Sequence, residues 1–372
     1  MALTLKTLYV KFALMDYYFI NAISEICEHS LIAKNMPLRC MIILNPVAGG
    51  FHNKKKWESH VKTLKKYQQK AQANPKRQIY KNVILNLTEG KGSASEITKT
   101  FLERAEKDPI PFYLIISAGG DGTHREVMNT MFTASAPVRR SITVVRLPMG
   151  TGNDGADSPT LAGALDLILN PSHIEFAPAV QLKTAQNGSS EWKNRDLFAF
   201  NILSMGLDAY VTHMTNNMKG KPGNRYGFWI DMATLSYEKK YKVDYFDVRA
   251  FDSNNKELLS FREKLLLLAM GVSGNRSYGS QQNILPDHRN VCGVKKIPLF
   301  RKLKIKKQIS IGKHIKNRDA LLFNAHQMEV KYNHPILAQM DGETILLQPD
   351  DFPATLSLTA PVIPLLKPGN EK

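Results

Sequence analysis

The stretch Ser117-Ala-Gly-Gly-Asp-Gly-Thr-His-Arg-Glu126 decides the fold, because of the segments on either side of it. The run before it, Pro111-Phe-Tyr-Leu-Ile-Ile116, is typical of a buried β-strand, and the run after it, Glu126–Phe132, is amphipathic. A strand, a glycine turn and a helix in this order let backbone N–H groups and a helix N-terminus hold a phosphate. The stretch therefore predicts a phosphate-binding loop. The structural alternative is a tight turn whose aspartate only caps the helix.

The residues inside this loop suit a phosphate accompanied by a metal ion. Gly119, Gly120 and Gly122 carry no side chain, so a ligand can approach the backbone closely. Asp121 would repel a phosphate unless a divalent cation lay between the two negative charges. Thr123 can cap the helix or donate to a phosphate oxygen. As a loop acid, Asp121 is expected to contribute little to the stability of the fold.

Polar turns also follow the other predicted strands of this region. They come after the runs Cys40–Leu44, Gln78–Leu87 and Ser141–Leu147, and they comprise Asn45-Pro-Val-Ala-Gly-Gly50, Thr88 and Pro148-Met-Gly-Thr-Gly-Asn-Asp154. Strands and helices alternate from residue 38 to residue 170, which predicts a doubly wound sheet. Ligands of such sheets lie beyond the carboxyl ends of the strands. We therefore expect the four turns to converge on one edge.

The pattern changes after about Pro171, where strand-like runs dominate and helices become few. Serial strands joined by turns predict an antiparallel β-sandwich. The predicted organisation is an N-terminal extension (1–37), an α/β domain (38–170), a β-sandwich (171–350) and a C-terminal segment (351–372) that returns to the α/β domain.

The first 35 residues leave two alternatives open. The run Leu8–Ile23 is apolar but contains Lys11 and Asp16, so it is too short and too charged to span a membrane. It lacks the small-residue cleavage site of a signal peptide. The segment is either an amphipathic extension that packs on the body or a membrane, or a leader translated upstream of a start at Met36.

Composition narrows the class of protein. The chain has 372 residues, of which 43% are hydrophobic and 22% are charged, as in an ordinary globular protein. Its net charge of +17 favours an anionic membrane, nucleic acid or phosphate-bearing ligands. Cys27, Cys40 and Cys292 lack the spacing of a disulfide framework or a zinc site, which fits a reducing compartment.

Lysines crowd one stretch of the predicted sandwich, at positions 302, 304, 306, 307, 313 and 316. The alternation Lys302-Leu-Lys-Ile-Lys306 predicts a strand, Leu303–Ile311, with lysines on one face and with Leu303 and Ile305 turned to the core. Such a face could bind anionic lipid. A merely solvated strand face is the alternative.

The ordered motifs resemble one known family. Asn45-Pro-x-x-Gly-Gly, Gly-Gly-Asp-Gly-Thr and Pro-x-Gly-Thr-Gly-Asn-Asp are followed by Asn201–Val211, Gly312-Lys-His314 and Asp341-Gly-Glu343. Together they resemble the catalytic domain of the diacylglycerol kinase family, which includes bacterial lipid kinases, sphingosine kinases and ceramide kinases. The likeness covers roughly residues 38–365. It implies an α/β nucleotide-binding domain followed by a β-sandwich lipid-substrate domain, with ATP in the cleft between them.

The resemblance also implies roles for individual residues. The nucleotide would be held by Asn45, Pro46, Gly49, Thr88, Gly119, Gly120, Asp121, Gly122, Thr123, Glu126, Gly150, Thr151 and Asn153. Asp121, Asp154 and Glu343 would hold Mg²⁺ and its waters, and Asp341 would be the general base on the lipid hydroxyl. Asp341, Glu343 and Asp121 thus form the expected catalytic set. Phosphoryl transfer requires mainly positioning and charge neutralisation, which these groups can supply.

The chain departs from the family at Cys292-Gly293, where bacterial members carry Asp-Gly. That aspartate anchors a second, structural Mg²⁺ in part of the family, flanked by carbonyls at positions matching Arg289 and Val294. Cysteine is a poor ligand for Mg²⁺, which prefers oxygen. We therefore expect this outer site to be absent or rebuilt.

Three functions fit the sequence. The first is an ATP-dependent kinase that phosphorylates a diacylglycerol, sphingoid base or related lipid. The second is a catalytically impaired lipid- or nucleotide-binding protein on the same fold, for which Cys292 is the only support. The third is NAD kinase, which shares the Gly-Gly-Asp-Gly-Thr motif.

The lipid kinase interpretation carries further expectations. ATP, Mg²⁺ and a lipid at a membrane surface would be its ligands, and a cytoplasmic, peripherally membrane-associated protein would follow. Nucleic acid is not expected as a partner, because no recognised nucleic-acid motif accompanies the positive charge. The identity of the lipid and a homodimeric state are left open.

Overall fold

The computed structural model describes residues 17–150, 158–185, 197–217, 226–279 and 282–368. The chain divides into two units: Met1–Ala177 together with Val362–Lys372, and Pro178–Pro361. The fold class predicted from the sequence is confirmed, because a mainly parallel α/β sheet is followed by an antiparallel β region.

The first unit is built on a sheet with the strand order β2-β1-β3-β4-β19-β5. Its strands are β1 (Leu38–Leu44), β2 (Ile84–Leu87), β3 (Phe112–Gly119), β4 (Ile142–Pro148), β5 (Pro171–Ala177) and β19 (Ile363–Pro368). All pairings are parallel except that of β5 with β19. Every residue of β1, β3 and β4 is buried, as expected for parallel strands covered on both faces.

Helices connect these strands. They are α1 (17–28), α2 (Gly49–His52), α3 (Lys54–Ala71), α4 (Ser93–Lys107), α5 (Asp121–Phe132), α6 (Ala136–Arg140) and α7 (Leu161–Leu169). Residues of α1, α3 and α7 share one apolar cluster with the side chains of β1.

The segment before β1 packs into this cluster. Phe19, Ile23 and Ile26 on α1 are fully buried, and the Phe19 ring meets the Phe51 ring edge to face at 5.4 Å. The segment between α1 and β1 is held by Arg77, which donates to the carbonyl oxygens of residues 30, 32, 33 and 36. Residues 17–36 therefore pack as part of the first unit.

The second unit is built on an antiparallel sheet. Its main path runs β17-β16-β8-β10-β9-β15-β18-β6-β7, with β13 and β14 branching from β10. The long strand β10 pairs with β9 through its first half and with β8 and β13 through its second half. The single long strand β10 therefore joins both parts of the sheet.

The bounds of the second unit's strands are β6 (Val180–Lys183), β7 (Leu197–Ala199), β8 (Ile202–Gly206), β9 (Tyr245–Phe251), β10 (Glu257–Gly271), β11 (Arg276–Tyr278), β12 (Gln282–Leu285), β13 (Val291–Lys295), β14 (Ala320–Phe323), β15 (Gln327–Lys331), β16 (Ile336–Met340), β17 (Glu343–Leu347) and β18 (Ala354–Leu358). Its helices are α8 (Leu207–Asn217), α9 (Tyr226–Lys240) and α10 (Leu299–Ser310), and 3₁₀ turns cover Lys313–Lys316 and Pro349–Asp351. Within the described parts of the chain, no helix is both long and apolar enough to cross a membrane.

The strand predicted over Leu303–Ile311 is wrong, because this stretch forms helix α10. Ile305 is buried and Ile309 packs beside it on the same apolar cluster, at the i, i+4 spacing of a helix. Lysine, leucine, arginine and glutamine also have good helix propensity. The lysine stripe on a strand face therefore does not exist, and Lys302 is itself buried beside Glu238.

Candidate functional site

The polar turns of the first unit meet at the carboxyl ends of its parallel strands. Asn45 follows β1, and its Nδ2 donates to Oγ1 of Thr123, just after β3, at 3.1 Å. The N–H of Asn45 donates to the carbonyl of Ala118 at 2.9 Å, and the N–H of Thr88, after β2, donates to that of Leu44 at 2.9 Å. Because β1 lies between β2 and β3, these bonds bring three of the predicted turns to one edge.

The turn after β4 reaches the same place. The N–H of Gly50 donates to the carbonyl of Met149 at 2.7 Å, and a Cβ on Gly50 would lie 2.9 Å from that oxygen. A Cβ on Gly120 would lie 3.7 Å from Cα of Gly150, which places the loop after β3 against the turn after β4. Glycine at position 50 is therefore required for the close approach of two backbones.

The Asn45 turn is ordered by its own side chain. Oδ1 of Asn45 accepts the N–H of Val47 at 3.1 Å, which is the hydrogen bond of an Asx turn. Pro46 lies within this turn, and Gly49 begins the short helix α2 directly after it. The turn is thus a fixed element beside the Gly119–Thr123 loop.

Helix α5 starts in the middle of this edge, at Asp121. Its cap residue Gly120 supplies no side chain to the first N–H groups, so these groups and the positive end of the helix dipole could receive an anion. A Cβ on Gly119 would lie only 2.7 Å from Oγ1 of Thr123, so the loop before the helix could not keep its path with another residue there. This arrangement suits a phosphate.

Asp121 has a partner that the sequence analysis missed. Nη2 of Arg146, on β4, donates to Oδ1 of Asp121 at 2.5 Å. The Arg146 side chain is only 2% exposed and that of Asp121 is 34% exposed. Nε of Arg146 is buried and has no hydrogen-bond partner among the described residues. The available signal was a charged residue inside the otherwise apolar run Ile142–Leu147.

His124 lies behind the loop and is kept neutral. Burial, and then the nearby Arg146 guanidinium, hold the pKa of its imidazole well below the usual value. Its Nδ1 is buried with no partner in the described part of the chain. His124 therefore packs behind the loop as a neutral side chain.

Glu126, which was predicted to hold the nucleotide, also has a structural role. Its Oε1 accepts the N–H of Gly92 at 2.8 Å, and its Oε2 accepts the N–H of Ala94 at 3.1 Å. The carboxylate therefore caps the N-terminus of α4 and joins it to α5. A contact of Glu126 with the nucleotide stays a prediction.

The donor chemistry of Asp121 fits a magnesium ion. Its Oδ2 has no hydrogen-bond partner in the ranges that the structure describes, and Mg²⁺ prefers carboxylate oxygen. Three other predicted residues, Thr151, Asn153 and Asp154, lie outside the described residues. Within the described ranges, no three His, Cys, Asp or Glu side chains gather into a metal-binding cluster.

In the second unit, Asp341 occupies the turn between β16 and β17. Its φ of +49° and the φ of +99° at Gly342 are the left-handed conformations of a tight hairpin turn. The carboxylate accepts N–H groups from the segment between β7 and β8: Phe200 at 2.5 Å, Asn201 at 3.0 Å and Ile202 at 3.1 Å. Asp341 is thus held firmly, and it also ties the turn to the neighbouring strand.

A polar network lies beside this turn. Ser204 Oγ donates to Oδ2 of Asp208 at 2.6 Å, and Nε2 of Gln339 donates to Ser204 Oγ at 2.9 Å. Asp208 also lines a cavity of about 90 Å³ with mainly apolar walls. Glu343, the first residue of β17, is half-buried and pairs with Met340 across the hairpin. The Asp208 carboxylate therefore belongs both to this network and to the wall of an apolar cavity.

The residues at the outer position do not fit a magnesium ion. The Cys292 thiol is fully buried, which raises its pKa to about 12 and leaves it neutral. Nε of Arg289 lies 3.0 Å from both carboxylate oxygens of Asp287, so the nearby acid is already hydrogen-bonded to a guanidinium. A neutral thiol and a carboxylate already paired with arginine are not the ligands that Mg²⁺ requires.

This ion pair gives a testable pH dependence. Hydrogen bonding by Arg289 lowers the pKa of Asp287 to about 2, from an ordinary 3.8. The stability that it contributes is fully present above the ordinary pKa and is lost as the pH falls through about 2. Wild type should therefore exceed Arg289→Met in free energy of unfolding by a constant amount above about pH 4, and the difference should shrink toward pH 2. Urea titrations at several pH values measure this difference, and one that grew on acidification would contradict the assignment.

One known family matches part of the first unit. Residues 39–173 match the family model of the diacylglycerol kinase catalytic domain. A search of curated proteins gives no match.

Solved structures share the fold at low sequence identity. A candidate diacylglycerol kinase from Bacillus anthracis str. Sterne aligns with a TM-score of 0.57 and 19% identity, over 89% of this chain and 95% of that one. A diacylglycerol kinase from the same organism aligns with a TM-score of 0.53 and 16% identity, over 89% and 96%. A yeast NADH kinase complexed with NADH reaches only 0.40 at 12% identity, over 90% and 85%, too low to carry an argument. The resemblance indicated by the motifs is confirmed: residues 39–173 match the catalytic domain of diacylglycerol kinases, on a fold shared with such proteins.

Proposed function

We propose that this chain is an ATP-dependent lipid kinase, which transfers the γ-phosphate of ATP to a lipid hydroxyl at a membrane surface. The observation that carries the proposal is the convergence of the Asn45 turn, the Gly119–Thr123 loop and the turn at Gly150 on the N-terminus of α5. Backbone N–H groups at this edge would hold the nucleotide phosphates without any side-chain chemistry.

Magnesium, when bound, would neutralise charge on the phosphates. Asp121 would hold it through Oδ2, and Asp154 and Glu343 are the other predicted ligands. The Arg146 guanidinium fixes Oδ1 of Asp121, so the carboxylate is oriented before any ligand binds. Asp121 would thereby bind the ion and orient it toward the phosphates. Phosphoryl transfer depends mainly on such positioning and on charge neutralisation, and it requires little covalent chemistry from the protein.

The apolar cavity of the second unit is a candidate site for the hydrocarbon part of the substrate. Leu207, Val211, Leu266 and Ile284 contribute to its wall, and the Asp208 carboxylate is its acidic member. Small-molecule sites combine apolar walls with a few polar groups that fix orientation. A hydroxyl or amine of a lipid headgroup could therefore be oriented by Asp208.

Replacing Asp341 by asparagine tests its proposed role as general base. We expect kcat to fall by roughly 10²-fold or more, with the KM for ATP little changed. The carboxylate also accepts several backbone N–H groups, so the melting temperature should fall as well. Asn216→Ala is the matched control, because it removes a bond to the carbonyl of Gly342 in the same turn and leaves the carboxylate in place. An equal loss of kcat in both variants would show that Asp341 acts only by holding the turn.

The proposed function is tested with γ-labelled ATP, Mg²⁺ and a panel of diacylglycerol, sphingoid base and ceramide. We expect label in at least one lipid, and mass spectrometry of the product identifies the phosphorylated hydroxyl. Gly119→Ala should be inactive because its Cβ meets Thr123, whereas Gly90→Ala should be active because a Cβ there meets nothing within 4 Å. Absence of labelled product from folded wild-type protein on every lipid would overturn the proposal.

A further inference from the structure

Helix α10 exposes an apolar face to solvent. Phe300 is 86% exposed, and Leu299, Leu303 and, just after the helix, Ile311 are between 41% and 55% exposed. Positions 300, 303, 307 and 311 recur at helical spacing, so they lie along one face. A phenylalanine this exposed, among exposed leucines, is unusual on a protein surface and indicates a binding site.

The opposite face of α10 accounts for the packing of the helix. Ile305 is only 3% exposed and belongs to the apolar cluster of the second unit. Lys302 and Lys306 form ion pairs with Glu238 and Asp231 of α9. The inner face therefore holds the helix against the second unit, and the outer apolar side chains are not needed for this packing.

Lysines are interleaved with the exposed apolar residues. Lys304 and Lys307 lie on the outer face of α10, and Lys313 and Lys316 follow in the next turn, where Ile315 is also exposed. None of these four lysines forms an ion pair with an acid in the described ranges of the chain. The outer face is thus apolar and positively charged at once.

We propose that this face, the α10 surface (Leu299, Phe300, Leu303, Lys304, Lys307 and Ile311), docks on an anionic lipid bilayer. Apolar side chains on a helix enter the boundary between headgroups and acyl chains, and lysines among them meet the lipid phosphates. A second copy of the chain fits poorly, because two surfaces of the same positive sign repel. A nucleic acid would use the lysines but not Phe300 or Leu303.

This proposal rests on the proposed function for its purpose, because a lipid kinase must collect its substrate from a bilayer. Binding itself is measured without turnover. Full-length protein is sedimented with vesicles of phosphatidylcholine alone and with mixed phosphatidylcholine–phosphatidylserine vesicles, at low and high salt. We expect binding to the mixed vesicles that weakens as salt rises.

Two double variants separate the apolar and the charged parts. Phe300→Ser with Leu303→Ser should weaken binding to mixed vesicles by about tenfold or more. Lys304→Glu with Lys307→Glu should do the same and remove most of the salt dependence. The matched controls are Lys65→Glu with Lys66→Glu on α3 and Ile110→Ser, which change exposed residues elsewhere and should bind as wild type. Equal binding by all four variants, or equal binding to both vesicle types, would overturn the proposal.

Activity assays distinguish a failure of this surface from a failure of the proposed function. On a short-chain diacylglycerol dissolved as monomers, the α10 variants should retain wild-type kcat and KM, while on vesicles their rate should fall with their binding. Equal loss of rate on the dissolved lipid would overturn the docking role. Vesicle binding by a wild-type protein that phosphorylates no lipid would leave the surface supported and the kinase proposal refuted.

Discussion

Replacing Asp121 by alanine is expected to abolish phosphoryl transfer and also to lower the free energy of unfolding by about 2–4 kcal/mol. The loop position suggested that the fold would be unaffected, but Asp121 is the partner of a buried guanidinium. Removing it leaves the Arg146 charge uncompensated in a site that is 2% exposed. The lower end of the range applies if water reaches the guanidinium through the space that the carboxylate leaves.

The reciprocal variants separate the structural role of Asp121 from its proposed metal role. Arg146→Met should destabilise less than Asp121→Ala, because a partly exposed carboxylate remains favourable at the N-terminus of α5. Asp121→Asn combined with Arg146→Met removes both charges and should restore most of the stability. Activity should stay lost in this double variant. If calorimetry showed recovered stability and the kinase assay showed recovered activity, the metal role of Asp121 would be refuted.

Deleting residues 1–35 is expected to leave a protein that is insoluble or unfolded. The deletion removes several fully buried side chains of α1, and it also removes the Ser30 hydroxyl that donates to the carbonyl of Ile168 at 2.5 Å. It also removes carbonyl oxygens that accept hydrogen bonds from the Arg77 guanidinium. The apolar surface that α1 covers would face water. The lost free energy of apolar burial exceeds the free energy of unfolding of an ordinary domain.

Point variants test the same idea in the intact chain. Phe19→Ala should cost about 3–5 kcal/mol, because the ring is fully buried against Phe51 and Trp57. Tyr17→Ala, two residues earlier and 68% exposed, should change stability little. Equal effects of the two substitutions, or a folded truncated protein with a normal melting temperature, would show that α1 does not stabilise the first unit.

The convergence of the polar turns on one edge of the first sheet could be predicted because its signals are local. Each turn directly follows an apolar run, and parallel strands must present such turns on the same side. Thus Asn45, Thr88 and the Gly119–Thr123 loop could be placed at one edge without any knowledge of long-range contacts. The Arg146–Asp121 pair was missed because it joins different elements, although a charge inside the β4 run indicated that some acid must lie near it.

The errors have equally physical causes. Over the few residues from Lys302 to Lys306, alternation fits a strand and a helix equally well, and only the burial of Ile305 beside Ile309 decides between them. Glu126 caps the N-terminus of a helix that begins more than thirty residues earlier, which no local pattern shows.

The central claim is that phosphate passes from ATP to a lipid. One competition reaction tests it most directly: γ-labelled ATP and Mg²⁺ are mixed with the wild-type protein, a membrane lipid extract and NAD⁺ together. After extraction into organic solvent, we expect the label in the lipid phase, and we expect its amount to drop to background in Gly119→Ala but not in Gly90→Ala. Label confined to NAD⁺, or no transfer by a protein that melts cooperatively, would contradict the claim.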